Sequence, residues 1–557
     1  MDEHRSLDGS GNNIVNPTWG VGPSLYTRLD YGAAYPAGNA YADGIGAPAR
    51  PSGTNVRVIS NLLSKQSEVI PEPLGLNDMA AWWLFHVHLD IAIGGQGEVS
   101  VPIAVPFGDD PFGLAGAGTE EIAFRRSLST VELGGSTPTR EIFTFPTAYL
   151  DADPIYQRDV GGNLAVRAGS GGLMELQSAA NGEDVVPSVA HIQSIKPGSL
   201  PDLPPPFATT FAPFAGGVAI QTVLVREHNR IADALDALER GRKKAVGLPE
   251  DPEPDPEAYD EAVFQLTRKI LEAEVQAITY DEVLPAIGVN IPPYKGYDPD
   301  LFPATSLEFA GGPLRLETML HRFAQRLDKD GASIPAGPVD STAILQPGGT
   351  YAEYLQEGMD PILRGMLVTP AQQHGLALDE GLRSVDPEQF FGVAGDLNDL
   401  MATHINRGRD RGLPAYDKIR SALGLAPVTS FTDITSDTQL QADLASVYPS
   451  VTDIDPIVGM LAEDRVAGSL FGPTALALYE VQFTTIRDAD RFWYQHAMEH
   501  SPALRNAMRW VGLEIDNGSG SWVLTRTLAG LILDTTSLGG PGDIFHLNEN
   551  SNALYVQ

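Results

Sequence analysis

The chain contains no cysteine, so disulfides, thiolate ligation of a metal and zinc–cysteine sites are excluded. Cations are scarce. The 37 Lys and Arg stand against 72 Asp and Glu, a formal net charge of −35. So acidic a chain is repelled by nucleic acid and by an anionic membrane surface, which argues against both as partners. Long apolar runs are missing too: none reaches the ~18 residues that suggest a bilayer span, and no membrane insertion is expected. The opening Met1-Asp2-Glu3-His4-Arg5 runs straight into polar Gly/Asn sequence, without the apolar centre of a secretory leader. The composition suits extracellular or salty surroundings, and the missing leader leaves the cytoplasm open. What is present is 557 residues, 43% hydrophobic and 20% charged, enough for a large core. Length alone predicts about two to four domains.

A few stretches carry chemistry. Thr403-His404-Ile405-Asn406-Arg407-Gly408-Arg409-Asp410-Arg411-Gly412-Leu413-Pro414 crowds three arginines around one Asp. Guanidiniums this close need Asp410, other carboxylates or a bound anion; a structural Arg–Asp network at a helix end is the plainer use. Thr147-Ala148-Tyr149-Leu150-Asp151-Ala152-Asp153 alternates a hydroxyl, a carbonyl and two carboxylates, the oxygen donors a hard cation takes, although an acidic turn reads the same way. Leu76 to Ile93 predicts a helix that carries Trp82, Trp83, His86, His88 and Asp90. Gly217 to Leu235 predicts another, with Arg226-Glu227-His228-Asn229-Arg230 bracing it. The acidic, Pro-rich Gly247 to Asp260 predicts a surface loop, and Lys269 to Pro285 the following helix.

Together these stretches resemble the animal-type haem peroxidases of the peroxidase–cyclooxygenase superfamily. The 403–414 stretch resembles that family's N-x-Q-R-G-R-D-H-G-L-P signature, and Val225 to Ala232 its L-R-E-H-N-R-I-A helix. Arg5 to Asn13, Asn16 to Gly20 and Val58 to Asn61 are similar to the opening of bacterial members. Val101 to Pro111, Phe124 to Ser127, Ala273 to Glu282, Asp360 to Gly365 and Asp488 to Tyr494 match further landmarks, so the resemblance covers nearly the whole chain. It implies a mostly α, single large helical domain with few short strands over 61–557, and a loop-rich arm over 1–60 packed on it.

The resemblance also implies a haem site, and there the chain departs from the pattern. The family's distal helix carries W-G-Q-F-x-D-H-D, and two registers compete for it. With Trp82 on the motif Trp, His88 takes the distal His position and Leu89 that of the calcium-binding Asp; with Trp83 there, Asp90 takes the Asp position and Leu89 that of the His. The Gln falls on Leu84 or Phe85. Asp90 with Thr147, Tyr149, Asp151 and Asp153 matches the family's calcium set, with Asp153 in place of its Ser, which favours the second register. The family's catalytic Arg falls on Thr210, and the haem-bonding Glu on Pro213. Glu308 to Thr318 aligns on E-F-A-x-A-x-x-R-F-G-H, whose last residue ligates iron; here it is Thr318, preceded by Glu317. An alcohol is a poor substitute for imidazole on haem iron. His321, one turn on, and His404, at the family's Asn, are the available replacements, and Arg315 and Arg407 match arginines that face the haem propionates.

Three readings follow: a calcium-stabilised peroxidase scaffold whose peroxidase activity is impaired or lost; a divergent haem oxidoreductase with His88 as distal base and His321 or His404 on iron; or a haem-free pocket redeployed around His86, His88, Glu317 and His404. Exported relatives of this kind point outward. The small-molecule or protein partner is not written in the sequence.

Overall fold

At residue 77 the Asn side chain accepts from the Ala80 amide, and Asp78 lies in the first turn. Both satisfy or complement free N–H groups at a helix start. Helix α1, Asp78–Ile91, follows, buried along its whole length except at Leu89. A helix apolar on every side belongs inside a protein, and α1 is the axis of the core. The computed structural model describes residues 3–35, 38–66, 68–109, 121–135, 138–199, 214–341, 351–383, 399–518, 521–538 and 544–546. Thr210 and Pro213 lie outside the described residues, as do Asp110 and Pro111.

Against α1 packs α2 (Ala215–Asp236), and α3 (Pro256–Ala277) packs on α2. The close crossing of α1 and α2 depends on Gly216, where a Cβ would lie 2.4 Å from the Trp82 ring. Helix α3 begins thirteen residues before the expected Lys269. Pro256 occupies its first turn and Asp255 caps it by accepting from the Ala258 amide, so the Pro-rich run ends as a helix start. It continues into a π-helical turn, Ile278–Val283, where the Thr279 hydroxyl accepts from Trp83 Nε1 at 3.1 Å. Helix α4 (Asp360–Val368) packs against both α1 and α2.

Helix α5, Leu400–Asp410, is capped by Asp399, which also takes Arg57, Arg383 and the Ser60 hydroxyl. The chain leaves α5 at Gly412 (φ +65°), where a side chain would meet the Tyr41 ring. Helix α6, Pro473–Asp488, packs on the short helix Leu307–Gly311. Strand structure among the described residues is limited to short antiparallel pairs, such as Ser24–Leu25 with Phe143–Thr144 and Gln96–Ser100 with Arg125–Ser127. The fold is mostly α. No described helix is long and apolar enough to cross a membrane.

The N-terminal residues are tied to the far end of the chain. Arg5 Nη2 donates to Asp490 Oδ2 at 2.8 Å, and Asn12 donates to the other oxygen of Asp490 at 2.8 Å.

Candidate functional site

Three segments converge beside the last turn of α1. Helix α1 supplies His88, the 3-10 turn Leu316–Met319 and its cap supply Arg315 and Glu317, and α5 supplies His404 and Arg407, three residues apart on one face. Arg411 caps the C-terminus of α5. Glu317 Oε1 lies 3.5 Å from Arg315 Nη1 and 3.6 Å from His404 Nε2.

The electrostatics are lopsided. Burial holds His88 and His404 well below the ordinary imidazole range, and Arg315, Arg407 and Arg411 push both further the same way; a backbone contact at Ala92 opposes this for His88. Both rings are therefore neutral at pH 7. Neither ring nitrogen of His404 has a hydrogen-bond partner, nor does Glu317 Oε2 or Arg411 Nη1. The guanidinium of Arg407 makes no hydrogen bond or ion pair with a described residue. Burial, then Arg411 and Arg315, lower it to about 9, against the pull of Glu317 and Asp410. Asp410 is already committed, accepting from Arg126 Nε at 2.5 Å and the Ser127 amide at 2.8 Å.

His321 is not part of this cluster. Its Nε2 lies 2.9 Å from the Pro370 carbonyl oxygen and 3.6 Å from Asp78 at the other end of α1. Ten residues separate Asp78 from His88, about 15 Å of helix. Thr318 is buried, and its hydroxyl lies 2.8 Å from Nδ1 of His374. Burial and then Arg465 lower His374 to about 3. His374 escaped the sequence reading because it lies 56 residues from Thr318 in no recognisable motif. His86 lies apart as well, buried beside Trp83 with both ring nitrogens unpartnered.

On the opposite side of α1, Asp90 accepts from the amides of Ala152 and Asp153 at 3.1 and 2.7 Å, at the start of the single helical turn Asp153–Tyr156. This contact accords with the Trp83 register, in which Leu89 falls at the family's distal His. His88 faces the cationic cluster all the same. Thr147 donates to Asp151 Oδ2 at 2.8 Å, and Arg158 donates to Asp153 Oδ2. Asp151 Oδ1 and Asp153 Oδ1 are buried without a partner, and Tyr149 contributes its backbone carbonyl nearby. These are donors for a hard cation. They are not drawn to ligating distance: among the described residues no group of three His, Asp or Glu is spaced to hold a metal ion.

With helices crossing at a buried α1 and the signature stretch on α5 facing it, the chain belongs to the animal haem peroxidase family, whose sequence model matches residues 4–514. Among individual proteins, it is 28% identical to Peroxinectin A of Dictyostelium discoideum over 556 residues, 95% of this chain and 94% of that one. The solved structure of Peroxidase A from the same organism matches with a TM-score of 0.79 at 27% identity, covering 98% of this chain and all of that one. The fatty acid alpha-dioxygenase of Arabidopsis thaliana gives a TM-score of 0.70 at 17% identity, over 100% of this chain and 86% of that one. That last likeness is one of fold alone.

Proposed function

We propose that this chain is a peroxidase-fold protein whose H2O2-dependent peroxidase activity is impaired or lost, its scaffold stabilised by calcium and its central pocket kept for binding. The reaction needs a group that carries a proton between the peroxide oxygens, a cation to stabilise charge as the O–O bond breaks, and an iron with a strong axial ligand. The observation that carries the reading is Thr318, at the family's axial position and hydrogen-bonded to His374 instead. Thr210 at the catalytic Arg points the same way. Loss of one charge-stabilising donor typically costs ~10² to 10³ in rate.

Arg315 and Arg407 suit the carboxylates of a haem, which when bound would supply the redox chemistry of its iron; the axial position does not fit it. A second reading, a divergent haem protein with His88 as distal base, is favoured by one observation: the ring nitrogens of His404 are buried and free. The unpartnered oxygens of Asp151 and Asp153 support calcium. A net charge of −35 accords with an exported protein.

The test is the absorption spectrum and haem content of protein produced with excess haem and calcium, with H2O2-dependent dye oxidation beside it. No stoichiometric Soret band and only background turnover are expected. A stoichiometric band that His404→Ala abolishes would sink this reading and establish the second.

A further inference from the structure

His496 and His500 stand one turn apart on the helix Tyr494–His500, away from the site around α1. Four residues is the spacing that puts two side chains on one face of a helix, and the centres of the two rings are 4.2 Å apart. His496 is half-buried against Tyr297, whose ring centre lies 5.7 Å from its own, while His500 is exposed. As cations, two imidazoles this close repel each other. As neutral bases they present lone pairs side by side.

Hydrogen bonding sets the tautomer. His500 Nδ1 lies 2.9 Å from the His496 carbonyl oxygen, which can only accept, so Nδ1 carries the proton and Nε2 keeps its lone pair. A backbone contact of this kind is what orients the imidazole ligands of metal ions. The ring nitrogens of His496 make no hydrogen bond with a described residue. Nearby charge suits a cation: exposed Glu499 lies between the two histidines in sequence, and Asp490 acts in the same sense. Arg491 opposes them, but it is paired with Glu3 at 2.7 Å.

We propose that His496 and His500 together clip a divalent transition-metal ion that favours imidazole, such as zinc, nickel or copper, with water completing its coordination. Imidazole nitrogens suit these ions, whereas calcium takes oxygens, so this site differs in chemistry from the loop at Asp151 and Asp153. A metal–nitrogen bond is ~2 Å, and rings 4.2 Å apart at their centres can each bring a nitrogen to one ion. The same pair, four residues apart on a helix, holds zinc in metalloproteases, where a third protein ligand joins it. Among the described residues no third His, Asp or Glu does so here, and the role the geometry gives the ion is to brace the helix. It ties the third residue of a seven-residue helix to its last; a helix so short is unstable without support from outside it. The net charge of −35 also gathers divalent cations at the surface.

Isothermal titration of the full-length protein with zinc chloride, in saturating calcium so that oxygen sites are filled, tests the proposal. One ion bound per chain at this site is expected, with a higher melting temperature in zinc than in chelator. H500A, at an exposed position, weakens binding by about tenfold or more, and H496A does likewise. H191A, at a half-buried histidine on another helix, leaves binding unchanged. If H496A fails to fold, H500A carries the test. A parent that takes up no zinc, or a folded H500A that binds zinc as the parent does, overturns the proposal. One ion per two chains, with dimers in sedimentation, overturns it too, because the ion would then bridge molecules and not the turn of one helix.

Discussion

His86 and His88 are two residues apart in sequence and opposite in circumstance. His88 faces a cluster of charges; His86 sits beside Trp83 with both ring nitrogens buried and unpartnered. A polar group in that state lowers stability, and an apolar group of similar shape is neutral or better. H86F is expected to raise stability by about 1 kcal/mol in urea unfolding. The same substitution tests the acid response. Burial lowers His86 to about 4, below its ordinary value of 6.5, so the unfolded chain takes the proton first as pH falls. The contribution of neutral His86 is complete above about 6.5 and declines towards pH 4. The parent should therefore lose stability more steeply over that range than H86F; parallel curves would contradict the assignment. Helical periodicity placed both histidines on α1, but which one met charge depended on what α5 brought to the other side.

At the scale of elements, the joint between α1 and the turn Asp153–Tyr156 has two layers. Asp90 closes it through the Ala152 and Asp153 amides, an interaction complete within the protein. The outer oxygens of Asp151 and Asp153 have no such partner. If calcium takes them, adding it at about 100 times its Kd stabilises the fold by about 3 kcal/mol, seen as a melting temperature higher by a few degrees than in chelator. D151N should remove most of that difference while leaving the chelated protein as stable or more so. A parent indifferent to calcium would refute the metal assignment. This loop was legible because its donors alternate within seven residues. The start of α3 was not: Pro and acidic residues in Gly247 to Asp260 suggested a loop throughout, whereas Asp255 and Pro256 serve as cap and first turn.

Over the whole molecule, ion pairs hold together parts of the chain that are remote in sequence. Arg5, 3% exposed, meets Asp490 at 2.8 Å and Glu272 at 3.4 Å. Asp490 also accepts from Asn12 and is itself buried. Removing one member of such a group leaves an uncompensated buried charge. R5M is predicted to cost about 3 kcal/mol, measurable by denaturant unfolding, and to expose the N-terminal segment to protease; an unchanged midpoint would show that Asp490 finds its counter-charge elsewhere.

By itself the sequence determined the family and the helical class, and it supplied the expectations that the acidic loop takes calcium and that Thr318 stands at the axial position. Those features are local: a motif, a cap or a missing imidazole is visible wherever its few residues stand together. The tertiary structure alone decided that Thr318 is joined to His374, that His321 turns to Pro370 and away from His88, and that Arg407 and Arg411 are left with surplus charge. Each depends on which carboxylates and carbonyls distant segments deliver. Charge balance in a buried site is a sum over neighbours in space, and a linear chain does not name those neighbours.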